Sequence, residues 1–494
     1  MSAFREDKNR KVIPRWRSVA RALTQKEFEP VPDRTVPVAL DLDSTFKEKL
    51  VEWTNRQDLP AAIELLGAAA LANREGEARS AAEFVLSNPG SPLTHRLARQ
   101  ALDGPSTDNQ TDSPQQEIAR LRSLVRSYPR DALAWLDLGL AFTNAGASQK
   151  AKEAMEVALA LAPRNRFVLR SVVRGLLHNR EPERASWVIE RSPSTPLDPW
   201  LISVEIALSM ITGRESDLVK VGRSLLKSAS LPAFHLGELA SSLATLEASS
   251  GDIRTAKKLF KQSLVDPTEN CVAQARWAAQ QEKVLDFDPL HLRTPLSFEA
   301  RARALFHAGQ WKQALGEAIE WLHDQPFSTV PAVLATYLAS TSLEDHKHAV
   351  ELARTGLRAN PRDPFLLNNL AFGLANLGNL NEARISLSRI LPDPDEKSVE
   401  ICRIATLGLI EFRAGNSELG RRLYRDAIDS AEAAKMKRLT ARARIFYALE
   451  EARIGSPVAA QALSVGDTIS KELTDLDTIH LRQRLLDAIS RQRG

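Results

Sequence analysis

Between Ala132 and Pro163 the chain reads ALAWLDLGLAFTNAGASQKAKEAMEVALALAP. Trp135, Leu138, Gly139 and Phe142 fall at i, i+3, i+4 and i+7, which is one stripe of a first helix. Asn144, Ala145 and Gly146 break that helix. Ala151, Met155 and Ala158 form the stripe of a second one, and Pro163 stops it. Gly139 and Ala151 are small, as they must be where two antiparallel helices approach closely.

The same spacing recurs outward from this unit. From Pro364 there follow Leu367, Leu370, Ala371, Leu374, Gly378, Ala383 and Leu387. The preceding unit starts at Val330, 34 residues earlier, and supplies Ala349, Gly356 and Pro361. One unit before it, Phe298, Ala302, Leu305, Gly309, Ala314, Ala318 and Pro326 fit a start at Pro295. Leu407, Gly408, Gly415, Gly420, Tyr424 and Ala427 fit a start near Ile401, and Leu243, Ala244, Gly251, Ala256 and Phe260 form another copy. Pro129 lies 34 residues before Pro163, and the phrases Tyr-Pro-Arg-Asp, Ala-Pro-Arg-Asn and Asn-Pro-Arg-Asp echo one another at repeat ends. A fixed period of this length is the mark of a solenoid. On these residues the chain resembles the tetratricopeptide repeat family. The resemblance implies an all-α fold, a right-handed superhelical solenoid of antiparallel helix pairs, with two arrays joined near 271–294.

Composition agrees. The 494 residues are too many for one compact core unless the fold is extended or repetitive. Aromatics are only 6%, and Ala, Leu, Arg and Glu, which lose least on entering a helix, replace the β-branched runs of a sandwich. Two cysteines, Cys271 and Cys402, exclude a disulfide framework and a cysteine-rich zinc module. The most apolar stretch, Ala61 to Ala72, is short and interrupted by Glu64, so no membrane span is expected. The N-terminus has no apolar core after its basic residues, so a cytoplasmic location is expected, and the composition leans towards a bacterial protein.

Charge is distributed unevenly. Net charge is +4, but Met1 to Lys26 holds eight basic and two acidic residues, so this segment carries +6 and the rest of the chain −2. The resulting division is a basic, Pro-containing tail (1–44), N-terminal helical hairpins (45–102), and a flexible linker (103–116). A tetratricopeptide-like array (117–270), a connecting helix and loop (271–294), a second array (295–434) and capping helices (435–494) complete it.

Catalytic chemistry is not written in this sequence. There is no G-x4-G-K-[ST], no G-x-G-x-x-G after a strand, and no H-E-x-x-H, G-x-S-x-G or C-x-x-C. His346 and His348 stand two apart, where a helix points them to different faces, so no metal site is expected. Both cysteines read as small buried hydrophobes. The expectation is a non-enzyme without cofactor.

The resemblance implies protein binding on a concave wall built from the first helix of each repeat. By spacing, that wall holds Leu136, Leu140, Arg303, Phe306, Leu334, Leu338, Phe365, Asn368, Asn369, Phe372 and Phe412, with Leu133 and Leu409 beside them. First helices also pack on their neighbours, so a place in the core fits several of these residues equally well. Family members that capture chaperone C-termini use a basic and amide clamp. Asn369 could give the middle amide, but Leu334, Leu338, Cys402 and Thr406 stand where its other members belong, so a more apolar, extended ligand is expected. In the tail, Arg10, Lys11, Arg15, Trp16, Arg17 and Arg21 suit docking onto an acidic partner groove, with Val12, Ile13 and Trp16 as anchors. They equally suit sequence-independent contact with nucleic-acid phosphate, or a solvated tail with no role. Membrane-surface binding fits less well, because the apolar face is short.

Overall fold

The computed structural model describes residues 1, 9–22, 42–72, 74–89, 92–103, 114–228, 231–281, 285–393, 396–456 and 475–493. These divide into two compact units, one formed by 30–116 and the other by 1–29 with 117–494.

In the smaller unit four helices follow one another: α2 (Leu42–Arg56), α3 (Leu59–Ala72), α4 (Arg79–Ser87) and α5 (Pro92–Asp103). Phe46, Trp53, Leu65, Leu66, Ala82, Val85 and Ala98 form its core. The Trp53 indole N–H, which cannot be buried unpaired without cost, donates to Ser80 Oγ at 3.1 Å. Residues 104–113, most of the expected linker, lie outside the described residues. Pro114–Gln116 are already helical, opening α6 (Pro114–Ser127).

The larger unit is an all-α solenoid of helix hairpins. After one turn near its start, α1 (Val19–Ala22), come α6, α7 (Ala132–Asn144), α8 (Ser148–Leu161), α9 (Arg166–His178), α10 (Pro182–Arg191), α11 (Pro199–Thr212), α12 (Leu218–Ser228), α13 (Ala233–Ser249), α14 (Ile253–Ser263) and α15 (Glu269–Gln281). Then follow α16 (Phe298–His307), α17 (Trp311–Asp324), α18 (Thr329–Tyr337), α19 (His346–Ala359), α20 (Pro364–Asn376), α21 (Leu380–Ser388), α22 (Lys397–Arg413), α23 (Ser417–Ala433), α24 (Lys437–Arg453) and α25 (Leu476–Arg493). Most helices pack on the next, and first helices also pack on first helices: α7 on α9, α9 on α11, α11 on α13, α13 on α15, and again α18 on α20, α20 on α22, α22 on α24. That second set of contacts makes a stack out of a row of hairpins.

Local chemistry explains the period. The Asp or Asn ending each echoed phrase caps the next first helix: Asp131 accepts from Leu133 and Ala134 N–H, Asn165 from Val168 N–H, and Asp363 from Leu366 N–H. Within the first unit Trp135 Nε1 donates to the Pro129 carbonyl at 3.0 Å, tying the helix to the turn before it. A Cβ on Gly139 would lie 3.4 Å from Met155 Cγ and 3.5 Å from the Ala151 carbonyl, the close approach that the small residues permit. Among the described residues α15 has no long second helix; Leu285, Phe287 and Leu292, around the 3₁₀ turn Pro289–Arg293, cover its apolar face instead. A π turn, Leu338–Ser342, extends α18.

Candidate functional site

The inner faces of the first helices are occupied by the chain's own residues 9–22. Arg10 to Ser18 has no helix or strand, makes one tight turn in which Ile13 N–H donates to the Lys11 carbonyl (2.9 Å), and ends in the α1 turn. Its polar contacts fall into two kinds, those made to its main chain and those made to its arginines.

Amide side chains and one carboxylate read the main chain. Asn270 Nδ2 on α15 donates to the Ile13 carbonyl (2.9 Å), and Gln274 Nε2, one turn later, donates to the Arg10 carbonyl (3.0 Å). Gln325 Nε2 reaches the Trp16 carbonyl (3.5 Å), and Val19 N–H donates to Asp137 Oδ1 on α7 (2.8 Å). These readers are held from behind. The second N–H of Asn270 donates to Glu238 Oε1 (3.2 Å), Glu238 forms a buried pair with Arg170 (2.8 Å), and Gln274 also donates to Thr245 Oγ1 (3.0 Å).

Carboxylates read the arginines. Arg10 forks onto Glu299 of α16 (Nε–Oε1 2.9 Å, Nη2–Oε2 3.0 Å) and also donates to Gln274 Oε1 and Asn270 Oδ1. Arg15 reaches Glu299 Oε2 at 2.5 Å. Arg17 forks onto Asp324 of α17 (2.9 and 2.9 Å) and meets Glu269 Oε1 of α15 at 2.5 Å. Arg21 meets Asp324 at 3.1 Å. Two parallel N–H bonds to one carboxylate are the strong, orientation-specific form of this contact. Burial alone would push the Glu299 carboxyl up; Arg10 and Arg15, with Arg303 beside them, outweigh it and hold it well below the usual range. Asp324 is likewise held down, against its burial, by Arg17, Arg21 and Arg15. Asp137 goes the other way: burial drives it up to about 7, with the Val19 N–H and the charge of Arg120 acting in the opposite sense.

Between the arginine forks sits Trp16, 0% exposed. It packs with Leu136, Leu140, Met155, Val172, Val173 and Phe327, its ring 5.7 Å from that of Phe327. Gly175 makes the room, since a Cβ there would meet Met155 Sδ and stand 3.0 Å from Trp16 Cζ3. Further along, Met1 lies buried with the core of the second array, where Asn368 Nδ2 donates to its carbonyl at 2.8 Å and Thr406 Oγ1 lies within hydrogen-bond distance.

The expected wall residues are therefore not an open surface. Leu136 and Leu140 line the Trp16 socket. Phe306, Leu334, Leu338, Phe365, Phe372, Phe412 and Leu409 lie in the core of the second array, because a first helix packs against helices on both sides. Leu133 is partly buried against the Trp16 cluster. Arg303 pairs with Glu299 one turn away (3.5 Å) and lies over the Trp321 ring. Asn368 contacts the N-terminal segment, whereas Asn369 donates to Thr336 Oγ1 inside the array. The tail residues Arg10, Arg15, Trp16, Arg17 and Arg21 are brought together inside the solenoid, and Lys11 is partly buried beside them. They do not form a free arm, because buried carboxylates more than 250 positions away in sequence claim their charges.

Sequence reading missed Glu269, Asn270, Gln274, Glu299, Asp324, Gln325 and Asp137. A faint signal existed: α15 carries amides one turn apart, at Asn270 and Gln274, where the other first helices present mostly apolar residues. Cys271 and Cys402 are buried thiols, pushed by that burial up to about 12 and about 11, and so lack thiolate character. Among the described residues no group of three or more His, Cys, Asp or Glu is placed to hold a metal ion, and no helix is long and apolar enough to cross a membrane.

The architecture is a tetratricopeptide-like helical solenoid. No protein-family model matches the chain, and no curated protein matches it. Among solved structures it is similar to one titled the APC/C hetero-tetramer Cut9–Hcn1, at 13% identity over 90% of this chain and 93% of that one, with a TM-score of 0.38. It is also similar to yeast Tom70, at 12% identity over 88% and 96%, with a TM-score of 0.30. Similarities this distant assign no function.

Proposed function

We propose that the chain is a non-catalytic scaffold or adaptor of the tetratricopeptide type, which holds an extended polypeptide segment along its first helices and thereby assembles or regulates a multiprotein complex. One observation carries this reading: amide side chains on the inner helix faces bond the main chain of an extended segment while carboxylates grip its side chains. Main-chain readers fit a peptide, and they have no counterpart in a nucleic-acid backbone. The same carboxylates engage the arginines that phosphate contact would need, so protein is favoured over nucleic acid as the partner. Two buried thiols suit a reducing cytoplasm, bacterial on composition.

The test compares affinity-purified wild-type chain with an Asn270→Ala/Gln274→Ala variant, both tagged in native cells, by mass spectrometry. A stoichiometric protein partner weakened in the variant is the expected result. Recovery of nucleic acid alone, removed by moderate salt, would overturn the proposal.

A further inference from the structure

We infer that residues 9–22 occupy the groove as a built-in competitor, and that its ligand in trans is an extended, arginine-rich segment of another polypeptide, with two arginines seven positions apart and a tryptophan just before the second. This rests on the scaffold reading and names the ligand class and regulation of the same site.

Charge complementarity carries the argument. Glu269, Glu299 and Asp324 are three buried carboxylates that bond the arginines of one segment; without those cations Glu299 keeps only the longer contact to Arg303 (3.5 Å), and the buried negative charge of the three is poorly compensated in a low-dielectric interior. The groove therefore demands a cationic occupant. The geometry then sets the spacing. The Glu299 fork takes Arg10, the Asp324–Glu269 pair takes Arg17, and the Gly175–Met155–Phe327 socket takes the indole between them. The main-chain readers fix an extended conformation but no side-chain identity, so any segment carrying these three side chains at these intervals satisfies the same contacts. The array bonds the segment's side chains and main chain through its own side chains, and among the described residues no strand pairs with the segment. Being part of the same chain, it competes at an effective concentration on the order of millimolar, so a partner enters only by displacing it.

The probe is a fluorescein-labelled peptide copying Asn9 to Ala22. Its binding is followed by anisotropy on the full-length wild-type chain, on full-length Arg10→Ala/Arg17→Ala, and on that variant with a peptide whose two reading arginines are citrulline. The expected result is at least tenfold tighter binding to the variant than to wild type, and at least tenfold weaker binding of the citrulline peptide. Equal binding to both chains, equal binding of both peptides, or a self-associated chain that takes no peptide would overturn the inference. Should the variant not fold, a protease site placed between Ala22 and Leu42 of the otherwise native chain replaces it. After cleavage the arginine peptide should exchange in and the citrulline peptide should not; no exchange overturns the inference. A chain that keeps its native protein partner but refuses the peptide leaves the scaffold reading standing without this inference. One that binds the peptide but captures no protein partner does the reverse.

Discussion

Arg17→Met is the perturbation that bears most directly on what holds the N-terminal segment in place. The Arg17 side chain is 1% exposed, and its partners Asp324 and Glu269 are 3% and 8% exposed. Methionine keeps most of the apolar stem and removes only the cation. Asp324 retains Arg21, which is partly solvated and so screened. Glu269 loses the cation that bonds it at 2.5 Å. Removing one partner from a buried pair costs about 3–5 kcal/mol, because the charge left behind is uncompensated, not because the pair itself was worth that much. The companion variant Arg17→Met/Asp324→Asn/Glu269→Gln therefore decides the matter. With all three groups neutral the penalty should shrink to about 1 kcal/mol. A solenoid opens piecewise, so the assay is hydrogen exchange read at Val12, Ile13 and Val19 and along α15 and α17, not global melting alone. A loss of about 3 kcal/mol appears as a roughly 100-fold fall in protection. A fall below tenfold in the single variant, or a triple variant as labile as the single, would refute the view that buried charge pairing retains the segment.

Other consequences can be checked together. Gly175→Ala should cost about 1–3 kcal/mol by overpacking against Met155 and Trp16, and should raise exchange across residues 12–19 before it disturbs α20–α24. Asp137→Asn should stabilise the chain at pH 8. A carboxyl whose folded pKa is raised to about 7 opposes folding increasingly as pH climbs from about 4 to 7, with an upper bound of about 4 kcal/mol; denaturant titrations at pH 5 and 8 should differ less in the variant than in wild type. Glu299 and Asp324 carry the opposite sign. Their folded pKa values are depressed, so their contribution is complete above the ordinary carboxylate range and is lost as pH falls through the depressed values; acid below about pH 4 should release the segment. Tyr337→Phe removes the hydroxyl that donates to Asp477 Oδ2 at 2.6 Å beneath α25, and about 1–2 kcal/mol of local stability should go with it, seen as faster exchange in Leu476–Arg493 and unchanged exchange at Arg10–Ser18.

The repeat is legible in sequence wherever its physics is local. The Trp135, Leu138, Gly139 and Phe142 stripe, the break at Gly146 and the capping Asp and Asn of the echoed phrases all act within one or two helical turns, and they fold as read. The fate of the N-terminal segment is not local. Arginines between prolines look like a solvated arm until Glu299 and Asp324 are brought to them across more than 280 positions, and no periodicity announces that meeting. Spacing also could not separate wall from core. Leu334, Leu338 and Phe372 sit on first helices as the pattern requires, yet in this stack those positions face neighbouring helices. Polar exceptions on first helices, among them Asn270, Gln274, Asp137, Glu299 and Asn368, reach the N-terminal residues instead.

The long span between Arg17 and Asp324 also sets an order of events on the ribosome. The arginines are made before their partner, since Asp324 follows Arg17 by 307 positions. At roughly 5–20 residues per second, the segment waits about 15–60 s for its acidic seat. Until then Arg17 lacks its Asp324 fork, and its guanidinium is open to chaperones, to modifying enzymes or to the groove of a finished neighbour. A segment made before the whole array is thus seated only once α17 has been completed.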